Sequence, residues 1–256
     1  MIIAAVGFVL AGIPAAQASK KTKAEEESAV ASVLEVTVGE QPYRIQHAKE
    51  LLGRNLKKNL VKKAGKVENL EPFILELTKK FLAKNQKKHA QAITKAIIAE
   101  SRKYGFDPLF VMAVIQNESS FNANMVGEVG ERGLMQVRPT TAKWIADLYH
   151  LKYKGEQTLF SPAVNIRMGV ALMDKLRNQF DSHSRLYISA YNIGARKVRT
   201  MVDEDRAPRE YVVAVMKRYL AIYQAFSEKN IHDQTDVAYE SVMKLTRVVA
   251  VDSKGS

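Results

Sequence analysis

The 256-residue chain contains no cysteine. Disulfides, thiolate metal sites and a lipid-modified N-terminal cysteine are therefore excluded. The five histidines, His47, His89, His150, His183 and His232, show no metal-ligand spacing such as H-E-x-x-H. Gly127, Gly130 and Gly133 do not form a dinucleotide fingerprint, and no Gly-Lys-Ser/Thr phosphate loop occurs. No metal, nucleotide or other cofactor is implied. The chain also lacks internal repeats and low-complexity tracts, and beyond its first residues no stretch reads as a membrane span.

Hydrophobic residues make up 46% of the chain, enough for one full core with extensions. Residues 1–18 are apolar and end in Ala16-Gln17-Ala18, an A-x-A pattern expected of a cleaved secretory signal peptide. No Lys or Arg precedes that apolar run, so an upstream start or an uncleaved anchor would account for it equally well. Its shortness and Pro14 favour cleavage. The net charge of +12 is unevenly spread: residues 44–103 hold sixteen Lys/Arg against five Asp/Glu, or +11. Such a stretch attracts anionic polymers, although solvated helix faces would look the same.

In chain order, residues 19–42 read as a spacer with a short strand at Val33 to Val38. Residues 43–85 read as a basic helical extension. Ile45, Ala48, Leu51, Leu52 and Leu56 form the apolar face of its first helix, and Phe73, Ile74, Leu77, Phe81 and Leu82 that of its second. Ala90, Ile93, Ala96, Ile97 and Ile98 mark a third helix, stopped at Gly105. Asp107 suits an N-cap and Pro108 the first helical position of the next helix. Thr141 to His150 is a helix whose Trp144 is expected in the core rather than as a stacking platform for a ligand ring. Ser161 caps a helix with Ile166, Val170, Leu172, Met173 and Leu176 inward. Leu186 to Asn192 is another helical segment, and Tyr211 to Phe226 a long helix with Val212, Val215, Met216, Leu220 and Ile222 inward. In the tail, residues 227–256, Val242 to Val251 is β-branched enough for a strand, with Leu34 to Val38 as a conceivable partner.

The most informative stretch is Gln116 to Phe121. Leu109 to Ile115 is apolar throughout, so this helix is buried, and Glu118 falls in or just past its last turn. Apolar neighbours and the negative end of the helix dipole both raise a carboxyl pKa, as a general acid near neutrality needs. An arbitrary Glu at a helix end is usually just solvated. The small polar cluster Asn117-Glu118-Ser119-Ser120 and the glycine loop leading to Leu134-Met135-Gln136 suggest instead a cleft wall.

Six ordered motifs extend this reading: Glu118-Ser119-Ser120-Phe121, Gly133-Leu134-Met135-Gln136, Pro139-Thr140-Thr141-Ala142, Asn165-Ile166-Arg167-Met168-Gly169, Ala190-Tyr191-Asn192-Ile193-Gly194 and Tyr211-Val212. Together, residues 86–226 resemble the catalytic domain of the soluble lytic transglycosylases (SLT type, glycoside hydrolase family 23). The resemblance implies a mainly α, lysozyme-like fold of the goose type, here with an N-terminal helical extension and at most a minor β element. It implies peptidoglycan as substrate in the periplasm or cell envelope. Glu118 would protonate the glycosidic oxygen between N-acetylmuramic acid and N-acetylglucosamine. It would then deprotonate the sugar's own 6-hydroxyl, closing a 1,6-anhydro ring without water. Tyr191 would hydrogen-bond or orient Glu118. Gln136 and Asn192 would bind acetamido or hydroxyl groups, Met135 would pack on a sugar face, and Ser119 would contact the acetamido group or fix the backbone.

Ordinary glycosidases use two carboxylates, and Glu128 and Glu131 in the glycine loop are weak candidates for a second. The chain departs from the family where Ala207-Pro208-Arg209-Glu210 replaces a usual Glu-Thr-Arg, and where Ile193 replaces an Ala. Both put subsite preference in doubt. The rival readings are a lysozyme-type muramidase using water, a non-catalytic wall-binding or envelope-assembly protein, and nucleic-acid binding by the basic stretch.

Overall fold

The computed structural model describes residues 42–53, 70–204, 206 and 209–228. The expected signal peptide at 1–18, Leu56 of the expected first helix face and the two strand candidates, Val33 to Val38 and Val242 to Val251, lie outside the described residues. Among those described, no helix is long and apolar enough to cross a membrane.

The chain is mainly α. The helices are α1 (Pro42–Leu52), α2 (Leu70–Phe81), α3 (Ala90–Tyr104), α4 (Pro108–Glu118), α5 (Pro139–Tyr149), α6 (Pro162–Gln179), α7 (Ser184–Ile193), α8 (Ala195–Asp203) and α9 (210–228). Short 3-10 turns occupy Lys84–His89 and Glu156–Phe160. Among the described residues the only β pairing consists of the isolated antiparallel bridges Val126–Arg132 and Arg132–Val137, in the loop between α4 and α5.

α4 is the buried axis. Gly105 takes the left-handed conformation (φ +70°) and ends α3. The Asp107 carboxylate accepts the Leu109 N–H at 3.0 Å, and Pro108 follows where its missing N–H does no harm. Every residue from Pro108 to Ile115 is buried, as expected for a helix apolar on all sides. α3 packs on α2, α4 and α6; α6 in turn packs on α5 and α7, and α7 on α8. Leu70, Phe73 and Ile74 of α2 belong to the same continuous core as α4 and α6.

Three sequence expectations change. The buried face of α1 is largely polar: Arg44 and His47 face inward beside the expected Ala48, while Ile45, Leu51 and Leu52 are only partly covered. Arg44 pairs with Asp107, and His47 accepts the Asp107 N–H at 3.0 Å and bonds the Tyr187 hydroxyl at 3.1 Å. Complete burial holds His47 neutral, with the Arg177 charge acting in the same direction. In α9, Leu220 is 45% exposed and Tyr219 is the buried residue instead, its hydroxyl reaching Asp107 at 3.1 Å. Ser161 stands at the N-cap of α6, but its side chain makes no cap bond there.

Candidate active site

α4 delivers Glu118 at its last residue, and α9 meets it from the side. The Tyr211 hydroxyl donates to Glu118 Oε1. α9 therefore touches α4 at both ends, through Tyr219 at Asp107 and through Tyr211 at Glu118, and so runs antiparallel beside it. Burial raises the Glu118 pKa, the Tyr211 hydrogen bond opposes it, and the Glu131 charge adds to it; the balance moves the carboxyl from its ordinary 4.5 to about 7. Burial, reinforced by the Glu118 charge, raises both the Tyr211 and Tyr191 phenols, so both remain protonated donors at neutral pH.

The loop after α4 is fixed from below. Ser119, 4% exposed, donates from Oγ to the Leu134 carbonyl at 2.8 Å. Asn165 of α6, fully buried, accepts the Met135 N–H at 2.7 Å and donates to the carbonyls of Arg132 and Leu159 at 2.7 and 2.9 Å. Gly133 (φ +74°) passes so close that a Cβ there would lie 2.4 Å from both Asn165 Nδ2 and the Leu159 carbonyl oxygen. Gly133→Ala should therefore lower stability by about 2–4 kcal/mol, from overpacking plus left-handed strain, measured by urea unfolding. Gln136 is left-handed as well (φ +46°). Its Nε2 donates to the carbonyls of Gly133 and Met125 at 2.9 and 3.2 Å, which holds the loop in this conformation.

These elements border a cleft of about 470 Å³. One wall carries Glu118, Glu131, Gln136 and Arg138; α5 adds Thr141 and Trp144; α6 adds Leu172, Leu176 and Gln179; the last turn of α7 adds Tyr191, Asn192 and Ile193. A second hollow of about 430 Å³ shares Asn192 and Ile193 and extends to Lys197, Arg209, Glu210 and Tyr211.

Of the residues singled out from sequence, Glu118, Gln136, Tyr191 and Asn192 come together on this cleft. Ser119 and Met135 do not face it. Ser119 is spent on the backbone, one of its two expected roles. Met135 is 1% exposed, and its thioether fits against Gly169, where a Cβ would come within 2.5 Å of its sulfur. It is core, not a platform for a sugar. The Tyr191 hydroxyl donates to the Met135 carbonyl at 2.8 Å rather than to Glu118. The expected phenol–carboxylate bond is made by Tyr211, a residue within a quoted motif but given no role. Trp144 is 46% exposed and lines the cleft, against the expectation of a core indole.

Glu131 shares the cleft but is engaged: Oε1 accepts from Arg138 Nε at 3.0 Å, and Oε2 from the Val129 N–H at 3.2 Å. Burial acts upward on its pKa, yet these backbone and Arg138 bonds hold it below the ordinary range. It is a hydrogen-bonded anion beside Glu118.

Residues 95–213 match the family model described as the transglycosylase SLT domain. The matched segment is similar to that domain and makes up a little under half of the chain. It begins inside α3 and ends inside α9, so α1 and α2 fall outside the match. Similar proteins include the membrane-bound lytic murein transglycosylase C of Mannheimia succiniciproducens, 36% identical over 129 residues, covering 46% of this chain and 35% of that protein. The transglycosylase C of Haemophilus influenzae strain PittGG is 35% identical over 141 residues, covering 51% and 38%. The chain thus spans little more than a third of the length of these relatives. Among solved structures, an inactive variant of lytic transglycosylase Slt from Pseudomonas aeruginosa is 20% identical, with TM-score 0.44, covering 75% of this chain and 32% of that one.

Proposed function

We propose that the chain is a peptidoglycan lytic transglycosylase that cleaves the β-1,4 bond from N-acetylmuramic acid to N-acetylglucosamine and leaves 1,6-anhydro ends. The observation that carries this reading is Glu118, held beside Tyr211 at the cleft with a pKa of about 7. A carboxyl poised there is protonated often enough to give its proton to the glycosidic oxygen and basic enough to take one back. The substrate supplies the rest. Its 2-acetamido oxygen stabilises the developing positive charge at C1, and its 6-hydroxyl attacks C1 as Glu118 removes the hydroxyl proton. One carboxylate then suffices, in keeping with Glu131 being tied to Arg138.

Tyr211 aims the Glu118 carboxyl and stabilises its ionised form; Tyr191 supports the loop through the Met135 carbonyl. Gln136 and Asn192, at the cleft, would take acetamido or hydroxyl groups. Peptidoglycan lies outside the cytoplasm, so the reading places the protein in the periplasm or envelope, with residues 1–18 as export signal. The exposed Lys79, Lys80, Lys84, Lys87 and Lys88 would draw it to the wall's carboxylates.

Mass analysis of digested sacculi tests the reading: fragments ending in anhydro-muramic acid support it, whereas reducing ends one water heavier point to a lysozyme-type hydrolase. The pH dependence is a second check. Glu118 must begin protonated, so kcat/KM should fall about ten-fold per pH unit above about pH 7. A profile level to pH 9 would remove Glu118 from the acid's role.

A further inference from the structure

Trp144 is the only tryptophan in the chain, and the fold does not bury it. α5 turns Ala142, Ile145 and Ala146 into the core, each at 5% exposure or less. Lys143 and Asp147 pair at 3.1 Å on a separate face. At helical spacing, Thr141, Trp144 and Leu148 form one stripe between those faces. Trp144 and Leu148 are each 46% exposed, and Thr141 and Trp144 line the cleft that holds Glu118. Large apolar side chains gathered beside a cleft mark a contact surface more often than chance exposure does.

A cleft of about 470 Å³ holds a ligand of ordinary small-molecule size. A glycan strand is a polymer and must leave it at both ends. Beyond Asn192 and Ile193 lies the second hollow; along α5 the surface offered is the indole. We infer that Trp144 is a stacking platform for a pyranose ring of the strand, and that Leu148, one turn on, extends this added sugar subsite. The inference rests on reading the cleft as glycan-binding. A pyranose presents C–H groups on its faces and hydroxyls around its rim. Laid on an indole, it covers apolar area on both partners while its hydroxyls stay in water. The indole is broad and rigid, so little freedom is lost. Covering its exposed part is worth about ten-fold in affinity.

Being the single tryptophan, Trp144 reports on its own site by fluorescence. The full-length Glu118→Gln protein is titrated with chitotetraose, and its binding to intact sacculi is measured separately by co-sedimentation. The expected result is a blue shift of emission that saturates with the tetrasaccharide. Trp144→Ala should weaken sacculus binding about ten-fold and raise KM by a similar factor with kcat within about two-fold. Trp144→Phe should recover most of the loss. Emission that stays unmoved while Glu118→Gln binds sacculi, or Trp144→Ala binding as tightly as the parent, would overturn the platform and leave the cleft's function standing. Failure of the wild-type protein both to bind and to cleave sacculi would overturn the two together.

Discussion

Glu118→Gln is expected to slow glycan cleavage by about three to four orders of magnitude while leaving sacculus binding within about two-fold. One positioned proton carrier contributes roughly 10²–10⁴ in rate; in the proposed mechanism the same carboxyl serves both halves of the reaction, so the upper part of that range applies. Glutamine keeps the shape and can still accept from Tyr211. It cannot give up a proton or take one at neutral pH. The substitution also has an opposite effect on stability. The folded-state pKa of about 7 lies above the ordinary 4.5, so the folded protein binds more protons than the unfolded chain between these values. The stability linked to Glu118 is complete below about pH 4.5 and is lost as pH rises through 7. Relative to wild type, Glu118→Gln should therefore gain up to about 3 kcal/mol between pH 4 and pH 8. Urea titrations at the two pH values measure it. An equal difference at both would mean that Glu118 titrates as an ordinary surface carboxyl.

Asp107→Ala should destabilise the protein by about 3–5 kcal/mol, the largest effect expected of any substitution outside the cleft. Asp107 is 1% exposed and caps α4 through the Leu109 N–H. It also accepts from the Tyr219 hydroxyl at 3.1 Å and from Arg44 Nε at 3.4 Å. Alanine removes the cap and leaves a buried guanidinium and a buried phenol without their acceptor. Asp107→Asn keeps a cap and an acceptor but leaves Arg44 uncompensated, so it should fall between. Tyr219 and Tyr211 sit on one helix, and loosening the first contact should loosen the second. Activity in Asp107→Asn should then drop further than its folded fraction explains. Denaturant unfolding with parallel rate measurements checks both; a loss under about 1 kcal/mol for Asp107→Ala would contradict the clamp.

These two effects bear on how far the sequence could be read. Gly105, Asp107 and Pro108 announce the start of α4 because stop, cap and first turn are local chemistry. The apolar run to Ile115 implies burial, and with it a raised pKa for a carboxyl at the helix end. Which tyrosine meets Glu118 is a different matter. Tyr191 and Tyr211 reach the same neighbourhood from separate helices, and only the packing of α9 against α4 gives the bond to Tyr211. Met135 looks like a cleft residue until Gly169 is seen to make room for it in the core. For α1, periodicity favoured an apolar inner face, yet Arg44 and His47 face inward because Asp107 and Tyr187 await them from distant segments. The apolar bulk of an indole likewise favours a core position for Trp144, yet the side chain is 46% exposed at the cleft, because burial preference does not say which stripe of the helix a groove borders.

The central claim is that the departing sugar's place at the muramic acid C1 is taken by that muramic acid's own 6-hydroxyl, under the control of Glu118, with no water consumed. Digestion of sacculi by the wild-type protein in heavy-oxygen water tests it most directly. The account predicts newly formed muramic acid ends that are anhydro and carry no heavy oxygen. Heavy oxygen at those ends would show that water attacks C1 and would contradict it.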